Sequence, residues 1–438
     1  MVMDQGEKNT KLNFASVAIS FFILIVLPLT ITGIVISKGV VKVGEEATQA
    51  NLRVLDNPQK QSIELRARNI AEGIAQFYTD REKDIKIASI LPRDDKAYTT
   101  FLTTNNLGVI KSSDIGLVKV PVPLYKEIAF LDKTGMEQIK ITSAGIVPKE
   151  NLKNLSVPDN GEYGKENFFE IAKSLAPGEF YIGPVVGYHV NRKDADSGKK
   201  FEGIQRIATP VFDSSGFAGV VELALNFQHV REFVDHLVPT DPDKIFASVN
   251  VKDNNYAFLV DRDGNILSHP DETLIIGLDK NHNIVPVLKE DNFKNLEASG
   301  DGYMNILSIG FKDENLPKIH EEASSGKSGS RTYVLDNSSY FVAFAPIPYY
   351  GNGFSKPKGI GWVGMVIDVN LYKNISEEKA KDIKDKVAKW QKSTILVVIV
   401  SLILLFLIAL ILSKGIHRQI KRVYDEEATT PSDDENKD

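Results

Sequence analysis

Hydrophobic positions run unbroken twice in this chain, once near each end. From Phe14 to Ser37, FASVAISFFILIVLPLTITGIVIS holds 24 residues without a charge, bounded by Lys11 and Lys38. From Thr394 to Ser413, TILVVIVSLILLFLIALILS holds 20 more. A helix rises about 1.5 Å per residue, so each run spans the hydrocarbon core of a bilayer. Pro28 is expected to kink the first helix, because its ring removes a backbone donor and clashes with the preceding turn. A cleaved signal peptide has an apolar stretch of only about 7–15 residues followed by an A-x-A site; the first run is longer and no such site follows it. A buried helix of a soluble domain would show one apolar stripe rather than an apolar circumference. Lys414, Arg418, Lys421 and Arg422 follow the second run, and Lys8 and Lys11 precede the first. Basic flanks stay cytoplasmic, which puts both termini on the cytoplasmic side of the plasma (inner) membrane and residues 38–393 outside.

Between the runs the period changes. Residues 43–91 are rich in helix formers, interrupted at Asp56-Asn57-Pro58, after which Ile63, Ala67, Ile70, Ile74 and Phe77 repeat at 4-3-4-3 spacing. That is one apolar seam on a helix, fitting either a dimer coil or a helix lying on its own domain. Alternation then takes over in two similar places. IAFLDKTGMEQIKIT (128–142) and YAFLVDRDGNILSHP (256–270) each read as strand, D-x-x-G turn and second strand. Asp bonds its own backbone in such turns and Gly accepts a positive φ. Downstream, ATPVFDSSGFAGVVELALNF (208–227) and the stretch 343–371 are both strand, Gly-rich turn, strand. The paired order reads as an internal duplication. GKENFFEIAKSL (164–175) is expected to form a short helix in the first copy, and residues 285–330 hold helical fragments in the second. Strands mixed with short helices define an α+β class. SEEKAKDIKDKVAKWQKS follows with alternating charge and Ser376 as the expected N-cap of a solvated helix.

Composition narrows the function classes. At 438 residues, 25% charged and 42% hydrophobic, the chain has a globular balance and room for two or three domains. A net charge of −6 with no basic stripe in its middle speaks against nucleic acid as a partner. The absence of cysteine removes disulfides, thiolate metal sites and thiol nucleophiles together. Seven scattered histidines lack paired metal spacing, and His269 in SHPD reads as buried or turn-stabilising. DRDGN lacks the remaining acidic positions of an EF-hand and is a β-turn. No G-x-x-x-x-G-K-[ST], G-x-S-x-G or H-E-x-x-H occurs, so neither an enzyme nor a metal or cofactor is expected.

A membrane helix, a long extracytoplasmic helix, two tandem α+β modules with D-x-x-G hairpins and a returning helix form a layout that resembles the double Cache sensor ectodomain of bacterial chemoreceptors and sensor kinases. The resemblance covers roughly residues 14–413 and is most specific at YAFLVDRDGNILSHPD and at ENFFEIA…GEFYIGPV…RIATPVFD. It implies two PAS-like Cache modules carried on the long helix and flanked by two transmembrane helices. The division expected is a stub 1–13, membrane helix 14–37, long helix 38–91, membrane-distal module 92–235, membrane-proximal module 236–375, linker helix 376–393, membrane helix 394–413 and tail 414–438.

In that family the distal module binds small molecules, and an amino-acid-binding subset carries R-x-W-Y-x-x-A and an Asp near the last strand. The matching positions here are Glu166, Asn167, Phe168, Phe169 and Ala172, with Ala224 in the place of the Asp. Arg grips a carboxylate through two parallel bonds, whereas Glu repels it. The family's way of holding an α-amino acid therefore does not carry over. The expected ligand-binding set is Lys165, Glu166, Phe168, Phe169, Tyr181 and Arg206, the aromatics as apolar walls and the charges setting orientation. A competing reading makes Phe168, Phe169 and Tyr181 core residues.

The function expected is a receptor that binds a small molecule outside and transmits a signal inward. The partners expected are that ligand, the membrane, a second copy of the chain in a homodimer, and a signalling protein in the membrane or cytoplasm. KGIHRQIKRVYDEE after Ser413 resembles the opening of a HAMP linker, while ATTPSDDENKD has a disordered composition. Output is expected through a partner or a missing domain, as in the ectodomain part of a methyl-accepting chemotaxis receptor or sensor kinase. The rival is an envelope scaffold with no metabolite ligand.

Because the chain has no native cysteine, a single Cys at position 280 reports topology without background. It is expected to react with a membrane-impermeant maleimide in intact cells whose outer layers admit the reagent. Labelling only after lysis would reverse the orientation.

Overall fold

The computed structural model describes residues 14–52, 57–113, 116–241, 247–335, 338–351 and 353–427. In chain order the elements begin with α1 (Phe14–Leu52), α2 (Asn57–Ile90) and α3 (Asp95–Thr104). The hairpin β1 (Asn106–Ser113) and β2 (Gly116–Pro123) follows, then β3 (Tyr125–Asp132), β4 (Glu137–Thr142), β5 (Gly145–Ile146), α4 (Phe168–Lys173), β6 (Tyr181–Gly187), α5 (Arg192–Asp196), β7 (Gly203–Asp213), β8 (Gly216–Asn226) and α6 (Gln228–Arg231). A second set comprises β9 (Asn255–Asp261), β10 (Ile266–Ser268), α7 (Phe293–Ser299), α8 (Asn315–Ser324), β11 (Gly329–Leu335), β12 (Ser338–Pro346), β13 (Gly361–Asp368) and α9 (Val369–Glu427). The chain divides into two units, one of Leu55–Tyr372 and one of the two terminal segments.

The duplication read from the sequence is present in the strand order. The first module has a six-stranded sheet, β5-β4-β3-β8-β7-β6, and the second a five-stranded one, β10-β9-β13-β12-β11. In both, the opening hairpin lies beside the module's last strand, followed by the penultimate and the third, all antiparallel. The two turns are built alike. Asp132 Oδ1 accepts from Thr134 N–H at 2.8 Å and Met136 N–H at 3.2 Å; Asp261 Oδ1 accepts from Asp263 N–H at 2.8 Å and Asn265 N–H at 2.9 Å. Gly135 and Gly264 close them at φ 85° and 88°, a region where a side chain is strained. His269 is buried, and its Nδ1 accepts from Asp271 N–H at 2.9 Å, holding the chain just past β10.

The helix seam packs internally. Ile63, Ala67, Ile74 and Phe77 are buried and Ile70 is half-buried, as α2 lies along β7 and β8 of the first sheet and β11, β12 and β13 of the second. Tyr78 Oη donates to Gln205 Oε1 at 2.6 Å, and Ser330 Oγ donates to Glu64 Oε1 at 2.6 Å. One helix thus covers one face of both sheets. A second tie joins the modules where Arg231 of α6 donates to Glu272 Oε1 at 2.8 Å and to the Phe201 carbonyl at 2.9 Å.

In the terminal unit α1 and α9 approach closely: a Cβ on Gly33 would lie 2.8 Å from Val398 Cγ2, and one on Gly44 would lie 2.5 Å from Val387 Cγ2. Val26–Glu46 and Ala380–Ile416 are helical stretches long and apolar enough to cross a membrane by length and composition. Three local expectations change. Ser376 lies inside α9 rather than at its start, because the helix begins directly after β13, where Asp368 Oδ1 accepts from Asn370 N–H at 2.8 Å. α9 also continues through the basic segment to Glu427, so residues 414–427 are helical; ATTPSDDENKD falls outside the described residues. The strands β1 and β2 were not anticipated; GLVKVPVP alternates Val118, Val120 and Val122 with Lys119 and Pro121, but two prolines in eight residues speak against a strand.

Asp261→Ala removes the acceptor of the second turn. It is expected to cost about 1–2 kcal/mol, read as a lower urea midpoint by fluorescence of Trp362, which is buried in the same module.

Candidate functional site

Side chains two apart on a strand share a face, and three adjacent strands of the first module place charge on one face. Glu127 lies on β3, Glu222 on β8 and Arg206 on β7. Register sets alanines beside them: Ala224 opposes both Glu127 and Arg206, and Glu222 lies between Ala129 and Ala208. Small neighbours leave room for the long side chains to meet above the sheet. The opposite face, with Gln205, meets Tyr78 of α2. Further along the charged face, Ala129, Leu131, Ala208 and Val220 pack beneath Phe168, Phe169 and Ala172 of α4.

Arg206 is buried and surrounded by acids. Its Nε and Nη2 donate to the two oxygens of Glu166 at 2.7 and 3.2 Å, and its Nη1 meets Glu127 and, at 3.1 Å, Glu222 Oε1. Lys140 bridges Glu127 Oε2 at 3.0 Å and Glu137 Oε1 at 3.1 Å. The Phe168 ring lies 5.0 Å from the guanidinium carbon, a cation–π contact. Two cations therefore face four carboxyl groups. Burial works to raise the Glu127 carboxyl, but Arg206 and Lys140 outweigh it and hold the group down at about 2. Glu222 goes the other way. Burial raises it well above the usual carboxylate range, Arg206 offsets this only in part, and the Glu127 carboxylate raises it further. The approach of Arg206 to Glu222 is off the hydrogen-bonding direction, and neither Glu222 oxygen receives a hydrogen bond. Arg206 stays protonated against its burial because Glu222, Glu127 and Glu166 surround it.

This network borders three hollows. The largest, about 590 Å³, is lined by Lys165, Glu166, Phe168, Tyr181 and Arg206, with Asp261, Asp263 and Asn265 entering from the second module. A cleft of about 580 Å³ lies against Glu127, Tyr163 and Ala224, and a smaller one of about 270 Å³ against Glu127, Glu137, Lys140 and Arg206. Five of the six residues singled out from the sequence thus meet at one cavity. Phe169 does not: it is fully buried in the core below α4, with Lys173 Nζ 5.6 Å from its ring. Successive helix residues differ by about 100°, so Phe168 and Phe169 do not face the same way. Lys165 is exposed, holds a positive φ of 55° and donates to Asn283 Oδ1 at 2.7 Å. Tyr181 is half-buried, and burial raises its phenol.

Sequence reading missed Glu127, Glu137, Lys140 and Glu222. Glu222 had a visible signal, a lone acid within the apolar run GVVELAL of β8. Asp263 and Asn265 had none, because nothing local shows that the second hairpin's turn reaches the first module's cavity. Among the described residues no cluster of His, Asp or Glu is placed to hold a metal ion.

The Cache domain family model matches residues 52–371. Cache domains are sensory ligand-binding domains, and this chain belongs to that family. No curated protein matches it. Solved structures with a similar fold include the ligand-binding domain of the Pseudomonas aeruginosa PAO1 amino acid chemoreceptor PctB in complex with L-Arg, at 15% identity, with 72% of this chain and 96% of that one covered and a TM-score of 0.38. That of PctC from the same organism, in complex with GABA, is 18% identical, covering 68% of this chain and 95% of its own at a TM-score of 0.36. That of the Pseudomonas fluorescens chemoreceptor CtaA, in complex with L-isoleucine, is 15% identical, covering 73% and 98% at 0.38.

The Glu222 carboxyl gives a pH signature. Its folded-state value lies above the ordinary 4.5, so the native state binds the extra proton, and stability from this group is full below 4.5 and declines as pH rises from there through the folded-state value. Glu222→Gln keeps the shape and removes the titration. The variant is expected to gain on the parent progressively from pH 5 to pH 8 in urea midpoints, and a constant difference would show that Glu222 does not hold its proton. Arg206→Ala, which leaves buried carboxylates unpaired, is expected to destabilise by about 3–5 kcal/mol.

Proposed function

We propose that this chain is a two-pass membrane receptor whose first module, on the membrane-distal side at about residues 92–235, binds a small molecule with an apolar body and a cationic, hydrogen-bond-donating head. The supporting observation is that Arg206 is already saturated by acids of its own module, chiefly Glu166 in a two-pronged pair. An incoming carboxylate would have to displace Glu166 and enter beside Asp261 and Asp263, whose charge opposes it. A cation meets the opposite field. Phe168, Tyr181 and the aliphatic lining supply apolar walls, and Glu166 and Asp263 supply acceptors for the head. Binding draws the first module and the second module's turn together around one ligand. The second module, at about residues 236–375, passes the change through β13 into α9. Residues 38–393 lie outside, both termini lie in the cytoplasm, and the signal is taken up by a partner or an output domain, with the receptor acting as a homodimer.

The test uses the full chain in lipid nanodiscs and compares phenethylamine and putrescine with phenylacetate by thermal shift. A ligand binding only the folded state raises the unfolding midpoint. Phenethylamine is expected to raise it, Glu166→Gln to reduce that rise, and phenylacetate to have no effect. Stabilisation by the carboxylate alone, or by none of the three, overturns this ligand class.

A further inference from the structure

The duplicated modules invite comparison position by position, because each turn aspartate marks the register. Five residues before Asp132 stands Glu127, and five residues before Asp261 stands Tyr256. Across the sheet, Glu127 pairs with Ala224 and Ala224 with Arg206; Tyr256 pairs with Val366 and Val366 with Val342. The next partners inward, Glu222 and Gly364, correspond in the same way. The charged face of the first module is thus rebuilt in the second with Tyr256, Val342 and Gly364.

That second face also borders a cavity. It has about 190 Å³ and is lined by Tyr256, Phe258, His269, Tyr333, Trp362 and aliphatic side chains of β12, α8 and the Met304–Ile309 segment. An apolar protein cavity of about 150 Å³ takes up benzene, so this one fits a single six-membered ring with one or two substituent atoms. Its walls carry polar groups without partners. Among the described residues, the hydroxyls of Tyr256 and Tyr333 make no hydrogen bond to protein. Tyr333 is 8% and His269 7% exposed. His269 Nδ1 is occupied as an acceptor from Asp271 N–H, which leaves the ring proton on Nε2, where no protein acceptor meets it. These three groups open onto one hollow among aliphatic and aromatic walls, the lining of a polar-tipped apolar site rather than of a closed core.

We propose that the second module holds a separate binding site for a small neutral ring compound bearing a carbonyl or hydroxyl oxygen, held by His269 Nε2–H and the hydroxyls of Tyr256 and Tyr333. Of the charged side chains in the lining, Arg192 is paired with Asp271 and Lys312 Nζ lies 4.2 Å from the Phe293 ring, which leaves the groups beside Tyr256, Tyr333 and His269 uncharged. Burial keeps His269 neutral, lowering it to about 4. The site differs from the acidic cavity of the first module in both size and polarity, so the two do not compete for one ligand.

The experiment is saturation-transfer NMR of 2-pyridone, cyclohexanone and phenol with the full chain in detergent micelles, against empty micelles. At least 2-pyridone, whose carbonyl accepts and whose N–H donates, is expected to bind. Tyr256→Phe combined with Tyr333→Phe, which keeps ring volume and so the fold, is expected to weaken it about tenfold or more, matching the loss of two hydrogen bonds. Leu274→Trp at the cavity wall is expected to abolish it, and Glu166→Gln in the first module to leave it unchanged. No binding by any of the three probes overturns the site. Binding that survives the paired Tyr→Phe changes, that depends on Glu166, or that is exceeded by benzoate overturns it equally.

Discussion

The architecture depends on a single helix covering one face of two sheets. α2 presents Ile63, Ala67, Ile74 and Phe77 inward and buries them along β7, β8 and β11 to β13. A sheet with one face covered this way has the other face free for work. Glu127, Arg206 and Glu222 stand on that other face in the first module, and Tyr256, Val342 and Val366 stand on it in the second. The seam that makes α2 resemble a coiled-coil strand is consumed by this packing. A dimer, where it forms, uses other surfaces than those buried residues.

What each free face does is then decided by a handful of side chains. In the first module a desolvated Arg206 requires carboxylates, and the alanines beside it allow Glu127 and Glu222 to reach it from neighbouring strands. The acids supplied exceed what the guanidinium needs, and the excess appears as a Glu222 carboxyl that burial and the Glu127 carboxylate raise well above its ordinary range. Burying charge this way contributes little net stability, because desolvation offsets attraction. Its effect is on the site's chemistry: the guanidinium of Arg206 is already occupied by Glu166 in a two-pronged pair. In the second module the same positions carry no formal charge, and aromatic side chains fill most of the volume.

Much of this was legible in the sequence, for physical reasons that also mark where reading stopped. The D-x-x-G turns were legible because their hydrogen bonds are local, within four residues. The membrane runs and the duplication were legible because they rest on period and order. Lys165, Glu166, Phe168, Tyr181 and Arg206 could be gathered because a family resemblance pointed to that stretch, and they do meet at one cavity. Phe169 does not line that cavity, and α4, six residues long, is too short for periodicity to show which aromatic borders it. Glu127 and Lys140 escaped notice because their partners lie 79 and 13 residues away in sequence, on strands whose register only the fold sets.

The hairpin that begins the second module connects these observations. Its strands alternate, so neighbouring residues serve different neighbours: Asp261, Asp263, Asn265 and Leu267 border the acidic cavity, while Tyr256, Phe258, Ile266 and His269 border the aromatic one. It is also tied to the first module beyond the cavity, through Ser268 Oγ on Asp235 and through Glu272 on Arg231. A buried ion pair with both partners hydrogen-bonded is costly to break by removing either side, so the hairpin's base is held while its turn faces the cavity. Asp263 and Asn265 therefore stand at the end of a strand pair anchored at its other end. The next strand in that sheet, β13, pairs with β9 along its length and runs straight into α9. From the hairpin to the start of α9 the chain therefore crosses one antiparallel pair.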